Sequence, residues 1–218
     1  MKVDKIEIAT RLNHGILDER FYSFKKNILK NQNLIDHFGG LSAIISQLSK
    51  KHVIIIGAGP SLENSLNLIK KYQQRNDLII ISTDMALKSL LSCHIVPHFV
   101  FTCETKPVDF FSGIDTHNLH LISFSGASAS NLAKWQGDIS FYNWMIYDSP
   151  YDELWDLAGV SLGYLGTGSV ITTQAFAFSA GCDVKTIMLV GNDLGYKDHY
   201  YALGSLKHKS NNIVLNRF

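Results

Sequence analysis

The sequence lacks an excess of charge of either sign, because its 218 residues include 20 basic and 19 acidic side chains, a formal charge of +1. Without a global field, nucleic acid and anionic lipid are not expected as partners. Long apolar runs are also missing, since stretches such as 187–190 fall far short of the roughly 20 residues of a membrane span. The N-terminus has no signal-peptide core. We therefore expect a cytoplasmic protein that binds anions only locally.

Metal and disulfide motifs are scarce as well. Cys93, Cys103 and Cys182 are odd in number and share no CxxC spacing, which argues against a disulfide framework and a thiolate zinc site. The nine histidines are scattered without an HExxH pattern, so a metal held by protein ligands alone is not expected. Apolar residues, by contrast, make up 46% of the chain and charged ones 18%, which is typical of a globular protein with a substantial core.

The N-terminal part of the chain has a helical pattern. Residues 16–50 carry apolar side chains at helical spacing, interrupted by Gly39-Gly40, which predicts two helices. We interpret residues 1–50 as an N-terminal helical arm packed on the main domain. An oligomer contact through this arm is left open.

From residue 53 onward, short apolar runs without polar alternation indicate strands buried on both faces of a parallel sheet. The predicted strands are 53–56, 78–82, 98–103, 119–124 and 186–190, with helices at about 62–74, 84–93, 127–135 and 169–180. This alternation predicts an α/β fold over residues 51–218, a Rossmann-like, doubly wound, mostly parallel sheet in three layers. The segment 136–166 breaks the rhythm with many aromatic residues. We interpret them as plain packing, with a lid or an acceptor-binding wall as the alternative that base rates favour less.

Ligands of an open parallel sheet bind at the carboxyl ends of its strands, and the unusual residues of this chain fall there. The first turn, GAGPSL, has Gly57 and Gly59 for a tight bend, Pro60 for the first turn of a helix and Ser61 as a cap. Free amides at that helix start would face a phosphate, although a mere strand-to-helix connector is the alternative. A dinucleotide fingerprint would need a third glycine where Leu62 stands, so an ordinary NAD site is disfavoured.

Carboxylates end several of the predicted strands. Thr83 and Asp84 follow the second strand, where Asp84 can accept a hydrogen bond from a ribose or base but also suits an ordinary helix cap. Glu104 follows the third strand. Asn192 and Asp193 follow the last strand after a glycine, and a carboxylate there without a purpose would be costly to desolvate. All of these residues are candidate ligand contacts.

A second glycine-serine turn precedes the last predicted helix. Thr167, Gly168 and Ser169 offer amides and hydroxyls at the start of a helix that is apolar on nearly every face. Two anion-ready helix starts are therefore expected to converge on one cleft.

The motifs GAGPSL at 57–62, TD at 83–84, GTGSV at 166–170 and GNDLGY at 191–196 stand in this order. Over residues 53 to about 205 they resemble the MptE-like family, which includes the motility-associated factor (Maf) flagellin glycosyltransferases and archaeal 6-hydroxymethylpterin pyrophosphokinases. Their order is also similar to that of bacterial sialyltransferases that use a CMP-activated sugar. The resemblance implies nucleotide contacts at both glycine turns and at Thr83 or Asp84, with Tyr196 and Tyr200 on the phosphate.

The resemblance implies a nucleotide-sugar-dependent glycosyltransferase with a CMP-activated, sialic-acid-like donor and a glycan or a protein such as flagellin as acceptor. Asp193 would lie near the transferred sugar. The base histidine of the sialyltransferases lies well downstream of the tyrosines, beyond the end of this sequence, which leaves His199 and the unmatched His208 as the nearby candidates and His199 as our choice. No tightly bound cofactor is implied.

Two further functions stay open. In a Mg-ATP-dependent pyrophosphokinase of the 6-hydroxymethylpterin type, Asp84, Glu104 and Asp193 would hold Mg²⁺ beside the phosphates, since this ion prefers one or two carboxylates plus phosphate oxygens. The other is a nucleotide-binding module without catalytic activity, which the missing base histidine favours.

Overall fold

The computed structural model describes residues 5–144, 151–166, 170–195 and 199–205, and of residues 5–19 it describes only the backbone. The helices are α1 (Lys5–Phe38), α2 (Ser42–Leu48), α3 (Leu62–Tyr72), α4 (Asp84–Ser92), α5 (Ala129–Leu132), α6 (Asp152–Ala158) and α7 (Ile171–Ala180). The strands are β1 (His52–Ile56), β2 (Leu78–Thr83), β3 (Phe99–Thr102), β4 (His120–Phe124), β5 (Asp138–Trp144), β6 (Tyr164–Leu165) and β7 (Thr186–Val190). A 3₁₀ helix, Val160–Leu162, precedes β6.

The strands of the described part of the chain form one parallel sheet in the order β6-β5-β4-β3-β2-β1-β7. The chain steps from β1 to β6 in one direction and then returns to place β7 on the other side of β1. Ile56 at the end of β1 is paired with Ser82 of β2 and with Val190 of β7. This topology confirms the predicted Rossmann-like parallel sheet.

Different helices cover the two faces of the sheet. Ile54 and Ile56 of β1 belong to a cluster with buried residues of α3 and α4, whereas Val53 and Ile55 belong to a cluster with buried residues of α1, α2 and α7. Because successive residues of a strand point to opposite faces, these clusters lie on opposite sides of the sheet. The three predicted layers are therefore present.

The two N-terminal helices are broken at the predicted glycines and pack on the sheet. Phe24 and Ile28 of α1 and Ile44 of α2 are at most 1% exposed. Gly39 has a φ of 72°, and a Cβ on Gly40 would lie 2.5 Å from the Cα of Leu162, so both positions favour glycine. None of the helices in the described ranges, α1 included, is long and apolar enough to cross a membrane.

The secondary structure predicted for the aromatic segment 136–166 differs most from the observed one. Residues 136–166 include β5, α6 and β6, which the sequence pattern did not predict as separate elements. Polar side chains interrupt β5, but inside the sheet they have partners: Ser140 Oγ lies 2.9 Å from His120 Nε2, and Asn143 Oδ1 accepts from Ser125 Oγ at 3.0 Å. The packing interpretation is confirmed for the buried aromatic residues Phe141, Tyr142, Trp144 and Tyr151.

The predicted helix at 127–135 is also too long. Only α5 is helical, and the chain after it forms tighter turns, with Lys134 N donating to Asn131 O and Trp135 N donating to Leu132 O. The Trp135 ring then donates from Nε1 to Asp138 O at 3.1 Å, which draws the chain directly into β5.

Candidate functional site

The carboxyl ends of β7, β1, β2 and β3 lie side by side and bring most of the predicted site residues to one edge. The turns after β1, β2 and β7 begin next to each other because Ile56 is paired with both Ser82 and Val190, and Thr83 is paired with Phe101 of β3. Neighbouring strands are about 4.8 Å apart. The described members at this edge are Gly57, Gly59, Pro60, Ser61, Thr83, Asp84, Glu104, Asn192 and Asp193.

Other predicted site residues, namely Thr167, Gly168, Ser169 and Tyr196, lie outside the described residues, as does His208. The helix that follows the second glycine-serine turn, α7, contacts β1, β2 and β3. In a parallel sheet a crossover helix begins at the carboxyl edge, so α7 starts at the edge that holds the other site residues. Convergence of the two turns on one ligand stays a prediction.

The turn between β1 and α3 packs against the turn that follows β7. Gly57 N donates to Val190 O at 2.9 Å, and Gly59 N donates to Gly191 O at 2.8 Å. A Cβ on Gly57 would lie 2.5 Å from Gly191 O. The amides of these two glycines are therefore bonded within the protein, and the close approach that the glycines allow here is to the β7 turn.

The Asp193 carboxylate binds the N-terminus of α3. Its Oδ2 accepts from Ser61 N at 2.8 Å, and its Oδ1 accepts from Ser61 Oγ. Ser61 makes no side-chain cap of its own helix, contrary to the sequence expectation, because its hydroxyl is bonded to Asp193. A negative group at a helix start is stabilised by the helix dipole and by charge-assisted hydrogen bonds. A carboxylate thus stands where the sequence predicts a phosphate.

Asp84 links the ends of β2 and β3. Its Oδ1 accepts from Met85 N in the first turn of α4, and its Oδ2 accepts from Thr102 Oγ1, both at 2.7 Å. Asp84 therefore binds the helix start as a cap does, while Thr83, the N-cap residue by position, makes no side-chain cap bond. Thr83 Oγ1 is buried and has no hydrogen-bond partner among the described residues. That hydroxyl is available to a polar group of a ligand.

A buried polar cluster lies beneath this edge, and the sequence reasoning missed it. Tyr142 OH of β5 donates to Gln174 Oε1 of α7. Burial, and then the neighbouring Cys103 and Asp84, raise the pKa of the Tyr142 hydroxyl well above its usual value. Burial, and then the carboxylates of Asp84 and Glu104, raise the pKa of the Cys103 thiol. Both groups are neutral at physiological pH, so neither serves as an anionic nucleophile or base.

Glu104 and Asn192 use part of their polar groups within the protein. Glu104 Oε1 accepts from Lys106 N at 2.9 Å. Asn192 Nδ2 donates to Ile55 O at 3.3 Å and to Val190 O at 3.0 Å, which ties the ends of β1 and β7 together.

The described ranges contain no group of three or more His, Cys, Asp or Glu side chains placed to hold a metal ion. The carboxylates of Asp84 and Glu104 fit Mg²⁺ only when phosphate oxygens complete the coordination.

His199 lies against the first turn of α3. Its Nε2 is 3.0 Å from Glu63 Oε1, which also accepts from Leu203 N at 2.7 Å. Ala202 N donates to Ala58 O, so residues 199–205 fold over the β1–α3 turn. A histidine oriented by a carboxylate is a typical arrangement for a general base, and Glu63 is the partner that the sequence reasoning missed. Tyr200 is 43% exposed beside it in the chain.

Helix α1 crosses the carboxyl edge of the sheet, which the sequence reasoning did not predict. Asn27 Nδ2 donates to Thr105 O after β3 and to Gly126 O after β4, both at 3.0 Å. Asn31 Nδ2 donates at 2.9 Å to Ser125 O and to a second carbonyl of the same loop. The available signal is a pair of amides on an otherwise apolar stripe of the helix. The arm therefore forms part of the wall of the candidate site.

Comparisons with known proteins agree with the motifs. The profile of a family described as 6-hydroxymethylpterin diphosphokinase MptE-like matches residues 23–199. A comparison with curated proteins found no match. Among solved structures, the chain is similar to a Maf glycosyltransferase from Magnetospirillum magneticum AMB-1, with 19% identity and a TM-score of 0.58, over 80% of this chain and 28% of that chain.

At this identity the structural likeness shows the fold alone, and the chain aligns with little more than a quarter of that enzyme. The family match, in contrast, covers most of the chain and contains all four ordered motifs. The chain therefore belongs to the MptE-like family.

Proposed function

We propose that the protein is a nucleotide-sugar-dependent glycosyltransferase that binds its donor at the carboxyl ends of β7, β1 and β2. The observation that carries the proposal is the pair of hydrogen bonds from Ser61 N and Ser61 Oγ to the Asp193 carboxylate. Two convergent donors at the start of a helix also fit two oxygens of a phosphate. Membership of the MptE-like family and the fold shared with a Maf glycosyltransferase support this function.

In the proposed reaction the phosphate of the nucleotide-sugar replaces the Asp193 carboxylate on Ser61, because one N–H group does not serve both anions well. The acceptor hydroxyl, from a glycan or a protein, attacks the anomeric carbon of the sugar. The bond from that carbon to the phosphate oxygen breaks, and the nucleotide leaves with the electron pair. His199, held by Glu63, takes the proton of the acceptor, and the Ser61 donors stabilise the charge on the departing phosphate.

The similarity of the ordered motifs to those of bacterial sialyltransferases favours a CMP-activated, sialic-acid-like donor. Calorimetry with CMP in the absence of divalent metal tests the donor site. We expect CMP to bind, and Ser61→Ala to weaken that binding because it removes the hydroxyl donor. If CMP, CDP, UDP and GDP all fail to bind at millimolar concentration, the proposed function is wrong.

A Mg-ATP-dependent diphosphotransferase is the second candidate. It is favoured by the carboxylates of Asp84 and Glu104, which follow adjacent strands, and by the description of the family. Mg²⁺ bound by these carboxylates and by phosphate oxygens would neutralise the charge of the transferred group. ATP binding that is lost with EDTA indicates this reaction, whereas metal-independent CMP binding indicates glycosyl transfer.

An inactive nucleotide-binding module is distinguished by turnover. Donor hydrolysis is measured for the wild type and for Asp193→Asn. Equal and negligible rates, together with nucleotide binding, would assign the chain to binding without catalysis.

A further inference from the structure

We propose that Arg20 of α1 binds the phosphate of the nucleotide, so that the N-terminal helix supplies the cationic wall of the site. This inference rests on the proposed function and adds a residue from a part of the chain that carries none of the family motifs. The family match begins only at residue 23.

Arg20 lies on the side of α1 that faces the domain. Residues seven apart in an α-helix lie on nearly the same side, because 3.6 residues complete a turn. Arg20 precedes by seven residues Asn27, which donates to the carbonyls of the loops after β3 and β4. Phe24, between them, is 0% exposed, and the Arg20 side chain is half-buried.

The direction of α1 leads this stripe toward the candidate site. Asn31 bonds to the loop after β4, and Asn27, one turn closer to the N-terminus, bonds to the loops after β4 and β3. Four helical residues advance about 6 Å, which is close to the spacing of about 4.8 Å between strands. Continuing for the seven residues from Asn27 to Arg20 extends the stripe by about 10 Å, beyond the end of β3.

The electrostatics of the end of β3 agree with this geometry. Burial raises the pKa of the Cys103 thiol after β3, and the carboxylates of Asp84 and Glu104 raise it further, whereas the Gln174 side chain and, to a smaller extent, the charge of Arg20 lower it. The positive charge of Arg20 is therefore felt at the end of β3, where two carboxylates lie.

This edge of the sheet carries several negative charges, so a phosphate that binds there needs a nearby cation. Asp84, Glu104 and Asp193 are all carboxylates, and they repel an incoming phosphate. Within the described ranges no ion pair or hydrogen bond engages the Arg20 guanidinium. By comparison, Arg75 donates from Nε and Nη2 to the two carboxylate oxygens of Asp77, at 2.9 and 2.7 Å. A free guanidinium fork fits two oxygens of a phosphate.

The test compares Arg20→Gln with Lys26→Gln in calorimetric titrations with CMP and with pyrophosphate. Lys26 is an exposed cation on the other side of the same helix, so both variants remove one positive charge from α1. We expect Arg20→Gln to weaken binding of both probes by about tenfold or more, as loss of a charge-assisted contact does. Lys26→Gln should bind within about twofold of the wild type, because exposed charges act weakly through solvent.

The outcomes separate this inference from the proposed function. Wild-type affinity in Arg20→Gln overturns the role of Arg20 and leaves the nucleotide site intact. If the wild type binds neither pyrophosphate nor any of CMP, CDP, UDP and GDP, both are overturned.

A second measurement on the wild type does not depend on the variant folding. Bound CMP should protect Arg20 from phenylglyoxal, as read by peptide mass spectrometry, while modification of Arg75 at the opposite edge of the sheet should be unchanged. Equal modification of Arg20 with and without saturating CMP overturns the inference.

Discussion

Asp193→Asn removes the negative charge that lies on Ser61 while keeping the shape of the side chain. The asparagine oxygen can still accept one hydrogen bond from Ser61 N, but the interaction of a carboxylate with the helix start is lost. That interaction contributes about 0.3–1 kcal/mol at an exposed helix terminus, and a charged acceptor makes the bonds stronger than a neutral one. Because Asp193 is exposed, we expect the free energy of unfolding to fall by about 1 kcal/mol. For a chain of this size the melting temperature should fall by about 2–4 °C.

The same substitution is expected to strengthen nucleotide binding. In the wild type a phosphate must displace the Asp193 carboxylate from Ser61, and the free energy that this contact contributes opposes binding. Removing about 1 kcal/mol of competition corresponds to about fivefold tighter binding of CMP. If Asp193 instead holds Mg²⁺ in a diphosphotransferase, the affinity for Mg-ATP should decrease.

Calorimetry of the wild type, Asp193→Asn and Asp183→Asn with CMP and with Mg-ATP measures this difference. Asp183 is the matched control because it precedes β7 at the opposite edge of the sheet, and its φ of 53° is one that asparagine tolerates. CMP binding that weakens in Asp193→Asn and is unchanged in Asp183→Asn would refute the competition between the carboxylate and the phosphate.

Three further predictions concern the stability of the fold. Gly57→Ala places a Cβ 2.5 Å from Gly191 O and should lower the free energy of unfolding in urea by about 1–3 kcal/mol. The loss should be larger than for Gly181→Ala, because Gly181 has a φ of −76° and its Cβ would meet no atom closer than 3.4 Å. Asn31→Ala leaves two carbonyls of the β4 loop without their donor and should cost about 1–3 kcal/mol, so wild-type stability would contradict the anchoring of α1. Burial lowers the pKa of His120 below its usual 6.5, so on acidification the unfolded chain binds more protons than the folded chain, and the folded state loses stability. His120→Gln should therefore lose less stability than the wild type between about pH 7.5 and about pH 5.5, and equal losses would contradict this.

Elements with uninterrupted apolar runs could be predicted from the sequence. The observed β1, β2 and β7 begin and end within one residue of their predicted limits. β1 and β2 are covered on both faces, which favours apolar residues at nearly every position. The expectation that β7 is buried on both faces is wrong, because β7 lies at the edge of the sheet and most of its residues are exposed. β5 escaped prediction because Ser140 and Asn143 interrupt its apolar run, and their partners come from elsewhere in the sequence. β6 has only two residues, too few for any periodicity.

The sequence predicts which edge of the sheet holds the candidate site, but not which side chains are hydrogen-bonded to each other there. Glycine and serine in a turn predict an anion-binding helix start, yet the occupation of Ser61 by Asp193 depends on residues far apart in the chain. The same holds for His199 and Glu63. Local patterns carry no information on such pairs, which the sheet order alone brings together by placing β7 beside β1.

The turns after β1 and β7 are bonded to each other independently of the Asp193 side chain. Main-chain bonds from Gly57 and Gly59, together with the Asn192 amide, hold the two turns to each other, and none of these bonds involves the Asp193 carboxylate. A phosphate that binds Ser61 therefore has to move only the Asp193 side chain, and rotamer changes of exposed side chains are fast. Binding should leave the sheet edge unchanged, so the affinity change in Asp193→Asn reports competition for Ser61 and not a rearranged fold. Asn192→Ala, in contrast, loosens the framework itself and should weaken both folding and nucleotide binding.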